Sequence, residues 1–178
     1  MSDQLKVGVL GGGSWATALT KILCHNLEEV HWWMRNQGAV DHIEAYGRNP
    51  NYIQSIEFNR KQVKVTTDMQ AVVDACDILV VAIPSAFLDS LFKEAKPQGI
   101  EKKILFASIK GVVPEYDSIP ARYLHKEFRT PYEQIGLISG PCHAEEVAKE
   151  QLSYLTIACP VEETAQKMAD LLSCRFIK

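Results

Sequence analysis

The chain has no apolar run of ~18 residues, the length a helix needs to cross a bilayer, so no part of it is expected to span a membrane. Its opening residues, Met1-Ser2-Asp3-Gln4, carry neither the basic nor the apolar region of a secretory leader. It has no tract of Lys and Arg, and its formal net charge is −3, so neither a nucleic acid nor a membrane surface is expected as a partner. The five cysteines, Cys24, Cys76, Cys142, Cys159 and Cys174, form no C-x-x-C pair and are odd in number. That pattern points to a reduced, cytoplasmic chain whose thiols, Cys142 set aside, act as small buried hydrophobes. His25, His31, His42 and His125 are scattered without ligand spacing, so no metal is expected. No internal repeat and no low-complexity tract interrupts the sequence.

What is present is a regular alternation of short apolar runs and amphipathic stretches. At 178 residues, 47% of them hydrophobic, the chain suits one domain with a sizeable core. Strands are expected at residues 5–10, 29–34, 63–65, 78–83, 103–109, 135–139 and 152–158, with one more at 174–178. Helices are expected at 14–25, 37–46, 69–76, 85–95, 118–128 and 162–172, with Thr67-Asp68 as a cap before the third. Gly47-Arg48-Asn49-Pro50-Asn51 is dense in turn residues, and residues 52–61 read as a long connection. Strands alternating with helices imply an α/β, doubly wound, mostly parallel sheet with helices on both faces, the Rossmann-type arrangement.

Residues 7–18 read V-G-V-L-G-G-G-S-W-A-T-A. Gly11, Gly13 and Ala16 fit the G-x-G-x-x-A form of the dinucleotide fingerprint, directly after the first strand. Gly11 permits the tight turn, Gly13 lets the backbone approach a pyrophosphate, and Ala16 lets the helix lie close to the strand. The helix beginning at Ser14 and Trp15 offers free N–H groups and a partial positive charge to the anion. Doubly wound sheets bind ligands beyond the carboxyl ends of their strands. That rule gathers Gly11 to Trp15, Arg35-Asn36, Pro84-Ser85, Lys110-Gly111 and Gly140 to Ala144 on one edge.

The second strand ends in Met34-Arg35-Asn36, where an acidic residue would read an adenosine ribose. A guanidinium at Arg35 suits a 2′-phosphate instead, which favours NADP(H) over NAD; stacking on the adenine, with NAD accepted as well, is the alternative. Lys110, at the end of the fifth strand, could hold an anionic or carbonyl group, or be an ordinary surface lysine. Cys142 beside His143 invites a nucleophile reading, but adjacent residues at a helix start point different ways, so packing or weak donation is expected of the thiol. Trp15 either flanks a cofactor or wedges the first helix against a neighbour. Trp32 and Trp33 are expected in the core, and Asp74 and Asp77 in solvent.

Six segments together resemble the N-terminal domain of bacterial NAD(P)-dependent glycerol-3-phosphate dehydrogenase: G-G-G-S-W-A-T-A-L from Gly11, W-M-R-N from Trp33, N-P-N-Y-I from Asn49, V-V-A-I-P-S from Val80, S-I-K-G-V from Ser108 and S-G-P-C-H-A-E-E-V from Ser139. By that resemblance Ser14, Trp15, Arg35 and Asn36 bind the dinucleotide. Lys110 contacts both cofactor and substrate, Gly140 and Cys142 touch sn-glycerol 3-phosphate, and Ala144 touches the cofactor. The family usually has Ser or Thr in place of Cys142 and Gly in place of Ala16. The resemblance implies hydride transfer between NAD(P)H and dihydroxyacetone phosphate, supplying sn-glycerol 3-phosphate for phospholipid synthesis, in an enzyme that could be a homodimer. It also implies that residues 1–178 are the NAD(P)-binding half. The catalytic base, a lysine in a K-N-x-x-A segment, belongs to a helical second domain absent here, and no Lys-Asn pair occurs in this sequence. The isolated chain is then expected to bind cofactor with little or no turnover, and no catalytic residue is assigned to it. A Rossmann domain of a ketopantoate or hydroxyacid reductase, or a stand-alone module sensing NAD(P)H, are the competing readings.

Overall fold

The computed structural model describes residues 5–178; residues 1–4, on which the absence of a leader was argued, lie outside the described residues. Strands β1 (Val7–Leu10) and β4 (Ile78–Val81) are buried along their whole length. A strand hidden on both faces needs a neighbour on each edge and a layer of helices above and below. The neighbours come from β2 (Val30–Trp33), β3 (Val63–Thr66), β5 (Ile104–Ala107), β6 (Ile135–Ser139) and β7 (Thr156–Ala158). They form one seven-stranded sheet in the order β3-β2-β1-β4-β5-β6-β7. Every pairing from β3 across to β6 is parallel, and β7 alone runs antiparallel, against β6.

Side chains alternate across this sheet with period two. Val7, Val9, Ile78 and Val80 enter one apolar cluster, with residues of α1 (Ser14–Leu23), α2 (Gln37–Tyr46), α6 (Ala144–Ala148) and α7 (Glu162–Leu172). Leu10, Leu79 and Val81 enter the other, with residues of α3 (Met69–Ala75), α4 (Ser85–Ala95) and α5 (Pro120–Phe128). The sheet is therefore doubly wound, as the alternating pattern predicted. The strand order reverses direction between β1 and β4, and that is where such sheets open a crevice.

The helices end where local chemistry tells them to. Asn36 and Asp68 each place a side-chain oxygen on the backbone N–H three residues on, capping α2 and α3. Gly47, in the left-handed region at φ 69°, closes α2. The predicted strand at 174–178 does not join the sheet. Its residues pair instead with 153–155, through Ser153 N to Phe176 O and Leu155 N to Lys178 O. The reason is burial: Phe176 and Ile177 sink into the α1-side cluster, which draws the tail against the helices. The strand expected at 152–158 is accordingly split, its first part clasping this tail and only Thr156–Ala158 pairing with β6.

Two predictions follow from this packing. A Cβ built on Gly136 would lie 2.2 Å from Cε1 of Phe106, inside a fully buried ring. Gly136→Ala is expected to cost about 1–3 kcal/mol by overpacking, read as a lower urea midpoint at unchanged slope. At the other end of the fold, Glu150 meets Lys21 at 3.1 Å and also pairs with Arg175. The Lys21 hydrogen bond and charge hold the Glu150 carboxyl below its ordinary value, with Arg175 adding to the effect. A depressed carboxyl stabilises the fold above its unfolded pKa and loses that stabilisation as pH falls through the folded one. Glu150→Gln should therefore lower Tm at pH 7; the difference should begin to shrink below about pH 4, the unfolded glutamate range, and vanish only below the depressed folded value.

Candidate dinucleotide site

The site is built around the turn that leaves β1. Gly11 has φ +139°, and a Cβ there would lie 2.5 Å from the carbonyl oxygen of Ala82, the residue after β4. A Cβ on Gly12 would lie 2.9 Å from that of Met34. The fold itself therefore forbids side chains at both positions. Gly13 differs: its φ is −82°, which any residue can adopt, and a Cβ there would meet nothing within 4 Å. No protein atom requires a glycine at 13. The open cradle fits the close approach of a diphosphate, which a side chain would block.

Helix α1 starts at this cradle without help from its own chain. Its N-cap Gly13 supplies no side chain, and its first turn holds no acidic residue. The backbone ladder begins with Thr17 N donating to Gly13 O at 3.0 Å. The N–H groups of Ser14, Trp15 and Ala16 thus precede the ladder, and the positive end of the helix dipole points the same way. An anion is the chemical species that satisfies such an arrangement.

The turn is held from several sides. Trp32 is fully buried and its indole Nε1 donates to Gly11 O at 2.6 Å. The side chain of Asn49, also buried, donates to Gly12 O at 3.1 Å and to Thr17 Oγ1 at 2.9 Å. Trp15 sends its indole N–H to Ser108 Oγ at 2.7 Å, and that hydroxyl lies 3.5 Å from Ile138 O. Of its two readings, Trp15 shows the wedge contact, across the tips of β5 and β6. Asn49 and Ser108 were not singled out by the sequence. Ser108 lay inside the quoted S-I-K-G segment and Asn49 opened the quoted N-P-N-Y-I segment, but within a turn, where asparagine is common for local reasons and carries no signal of burial.

The other tips bring their residues to the same edge. Arg35 is exposed two residues after the end of β2, with no acidic partner among the described residues. Asn36 spends its Oδ1 on capping α2. The Lys110-Gly111 turn lies against the Pro84-Ser85 turn, a Cβ on Gly111 falling 3.4 Å from Ser85 Oγ. Gly140, at φ +135°, would place a Cβ 2.6 Å from Tyr154 O, so the fold alone accounts for that glycine. Ala144 is buried at the start of α6, which packs against α1. Beside Ser14 a cleft of ≈ 350 Å³ opens, lined by Tyr52 and Ile53, by Glu145 of α6 and by Lys149 just after that helix.

Cys142 is 6% exposed, within the α1-side core. Burial raises its thiol pKa, opposed by the nearby Ser153 hydroxyl and by the positive charge of Lys110. Lys110 is thus within electrostatic reach of Cys142. A raised thiol pKa is the reverse of what a nucleophile needs. His143 uses its backbone N–H on the Glu146 carboxylate at 3.1 Å, as a helix start does. Cys24 and Cys76, far from this edge, have thiols pushed up to about 12 by burial. Asp77 accepts from Lys6 N, and Asp74 from Gln70, both exposed as expected.

Comparison with known proteins agrees with this geometry. A profile of the NAD-dependent glycerol-3-phosphate dehydrogenase N-terminus matches residues 6–165. The glycerol-3-phosphate dehydrogenase [NAD(P)+] of Pseudomonas syringae pv. syringae (strain B728a) is 33% identical over 178 residues, which is 100% of this chain and 51% of that relative. That of Bacillus pumilus (strain SAFR-032) is 32% identical over 168 residues, 93% of this chain and 48% of the relative. A solved structure of Plasmodium falciparum glycerol-3-phosphate dehydrogenase superposes with a TM-score of 0.87 at 23% identity, over 98% of this chain and 51% of that one. The chain spans about half the length of the relatives it matches. With its glycine turn, its uncapped first helix and this match along nearly all its length, the chain belongs to the family of NAD-dependent glycerol-3-phosphate dehydrogenase N-terminal domains.

Proposed function

We propose that residues 1–178 are the dinucleotide-binding half of an NAD(P)-dependent glycerol-3-phosphate dehydrogenase, an oxidoreductase acting on a CH–OH group. The observation that carries this is the start of α1: three N–H groups ahead of the ladder, no acidic side chain, and an open space at Gly13, all at the crevice between β1 and β4. The diphosphate would be held by the backbone of Gly11, Gly13, Ser14 and Trp15. Arg35 and the free amide NH₂ of Asn36 would hold the adenosine side, and Ala144 the other end. A bound nicotinamide supplies or accepts the hydride. Lys110, exposed beside the Ser85 turn and near Cys142, would neutralise a substrate phosphate or polarise a carbonyl. Gly140 would offer backbone to the substrate; Cys142, nearly closed off, would shape that wall and add a weak donor.

The substrate pair in this reading is dihydroxyacetone phosphate and sn-glycerol 3-phosphate, a small-molecule partner whose product could serve phospholipid synthesis. The proton that accompanies the hydride would be given, or in the reverse direction taken, by an acid–base group in a helical second domain outside residues 1–178, so this half alone binds cofactor and turns over little. The complete enzyme would work in the cytoplasm, as a homodimer. No helix among the described residues is long and apolar enough to cross a membrane.

Titration with NADPH and NADH tests the reading directly. Quenching of tryptophan fluorescence, with Trp15 at the cradle, should saturate with at least one of them; no binding at millimolar coenzyme would overturn it. Arg35 also sets an expectation for coenzyme choice. Arg35→Glu exchanges a phosphate partner for a repelling charge, so NADPH should weaken by about tenfold or more and NADH by much less. Equal loss for both coenzymes would mean that Arg35 does not read the 2′ position.

A further inference from the structure

We propose that Asn49 is a positioning residue for the diphosphate: together with Thr17 it turns the carbonyls of Gly12 and Gly13 inward, so that the N–H groups of Gly13 and Ser14 face the anion. The inference deepens the dinucleotide reading and rests on it.

The argument begins with the peptide unit. In a trans peptide the C=O of one residue and the N–H of the next point in opposite directions across a rigid plane. Fixing a carbonyl therefore aims the following N–H. Asn49 Nδ2 donates to Gly12 O at 3.1 Å, which sets the plane carrying the Gly13 N–H. Gly13 O accepts from Thr17 N at 3.0 Å and from Thr17 Oγ1 at 2.9 Å, which together set the plane carrying the Ser14 N–H. The second Asn49 N–H reaches Thr17 Oγ1 at 2.9 Å, so the two tethers form one unit.

The glycines make these tethers necessary. Three consecutive glycines, Gly11 to Gly13, give the turn no side chains to lock its peptide planes, and a Cβ at Gly13 would meet nothing within 4 Å. Gly13 O is also held by the ladder bond from Thr17 N at 3.0 Å, so the carbonyl that most needs a tether is that of Gly12: left free, it could rotate toward the crevice and present a negative dipole to the ligand. Asn49 is suited to prevent this because its own orientation is fixed. It is 1% exposed, and its Oδ1 accepts from Asn51 N at 3.1 Å, which leaves the NH₂ no choice but to face the turn. The same 49–51 turn leads into Tyr52 and Ile53, the wall of the cleft beside Ser14. The connection between α2 and β3 is thereby coupled to the diphosphate cradle.

The test is NADPH and NADH affinity in four proteins: wild type, Asn49→Asp, Thr17→Val and Thr17→Ser, each with its Tm measured. Asn49→Asp keeps the shape but replaces the donors with a carboxylate, so lost orientation and added negative charge both act and its Kd for the better coenzyme should rise by at least about tenfold, the equivalent of one lost orienting hydrogen bond; the neutral Thr17 pair separates the two effects. Thr17→Val keeps the backbone bond to Gly13 O but removes the hydroxyl that orients Asn49, so it should weaken binding measurably though by less, and Thr17→Ser, which restores the hydroxyl, should recover most of that loss. A folded Asn49→Asp with wild-type affinity overturns the inference and leaves the dinucleotide reading intact. Should Asn49→Asp fail to fold, the Thr17 pair decides: a valine variant that binds like wild type, or a serine variant that recovers nothing, overturns it. Wild-type protein that binds neither coenzyme overturns both the inference and the reading beneath it.

Discussion

The tight passage of the chain between β1 and β4 is the constraint on which the rest of this structure depends. Gly11 lies so close to the Ala82 carbonyl that no side chain fits, and Trp32 donates to the Gly11 carbonyl from beneath. The turn is thereby pinned at the centre of the sheet, where the strand order reverses. Because it is pinned there, α1 must begin at the crevice with its unsatisfied N–H groups facing outward. Displace the turn by an ångström and the helix would start elsewhere, the gap at Gly13 would close, and the other strand tips would have nothing to converge on.

Much of this was legible in the residues, for physical reasons. Helices α2, α4 and α7 and strand β6 fall where apolar spacing and turn residues put them, because each buries one face against a sheet that is itself buried. The glycine turn was legible because its steric demands are local. The illegible parts are those decided by distant residues. Nothing in residues 174–178 says that Phe176 and Ile177 will go under α1 instead of extending the sheet. The antiparallel direction of β7 is likewise set by the path of the chain, not by its own three residues.

The site divides in the same way. The strand-end rule located Arg35, Lys110, Gly140 and Cys142 on one edge, but it could not separate residues that face a ligand from those that build its wall. Gly140 is glycine because Tyr154 O leaves no room, and Cys142 lies almost wholly in the core. Asn49 shows the converse. A polar residue in a turn rich in Gly and Pro reads as solvated, yet here its amide is buried and holds the cradle's backbone.

The tryptophans have one further consequence. All three donate their indole N–H within the chain: Trp15 to Ser108, Trp32 to Gly11 and Trp33 to the carbonyl of Thr67. Each bond ends on a different tip of the sheet, so their proton resonances form a natural set of separate magnetic probes. The signal of Trp32, closed off from solvent, would trade slowly with deuterium, and its lifetime would clock the opening of the innermost turn.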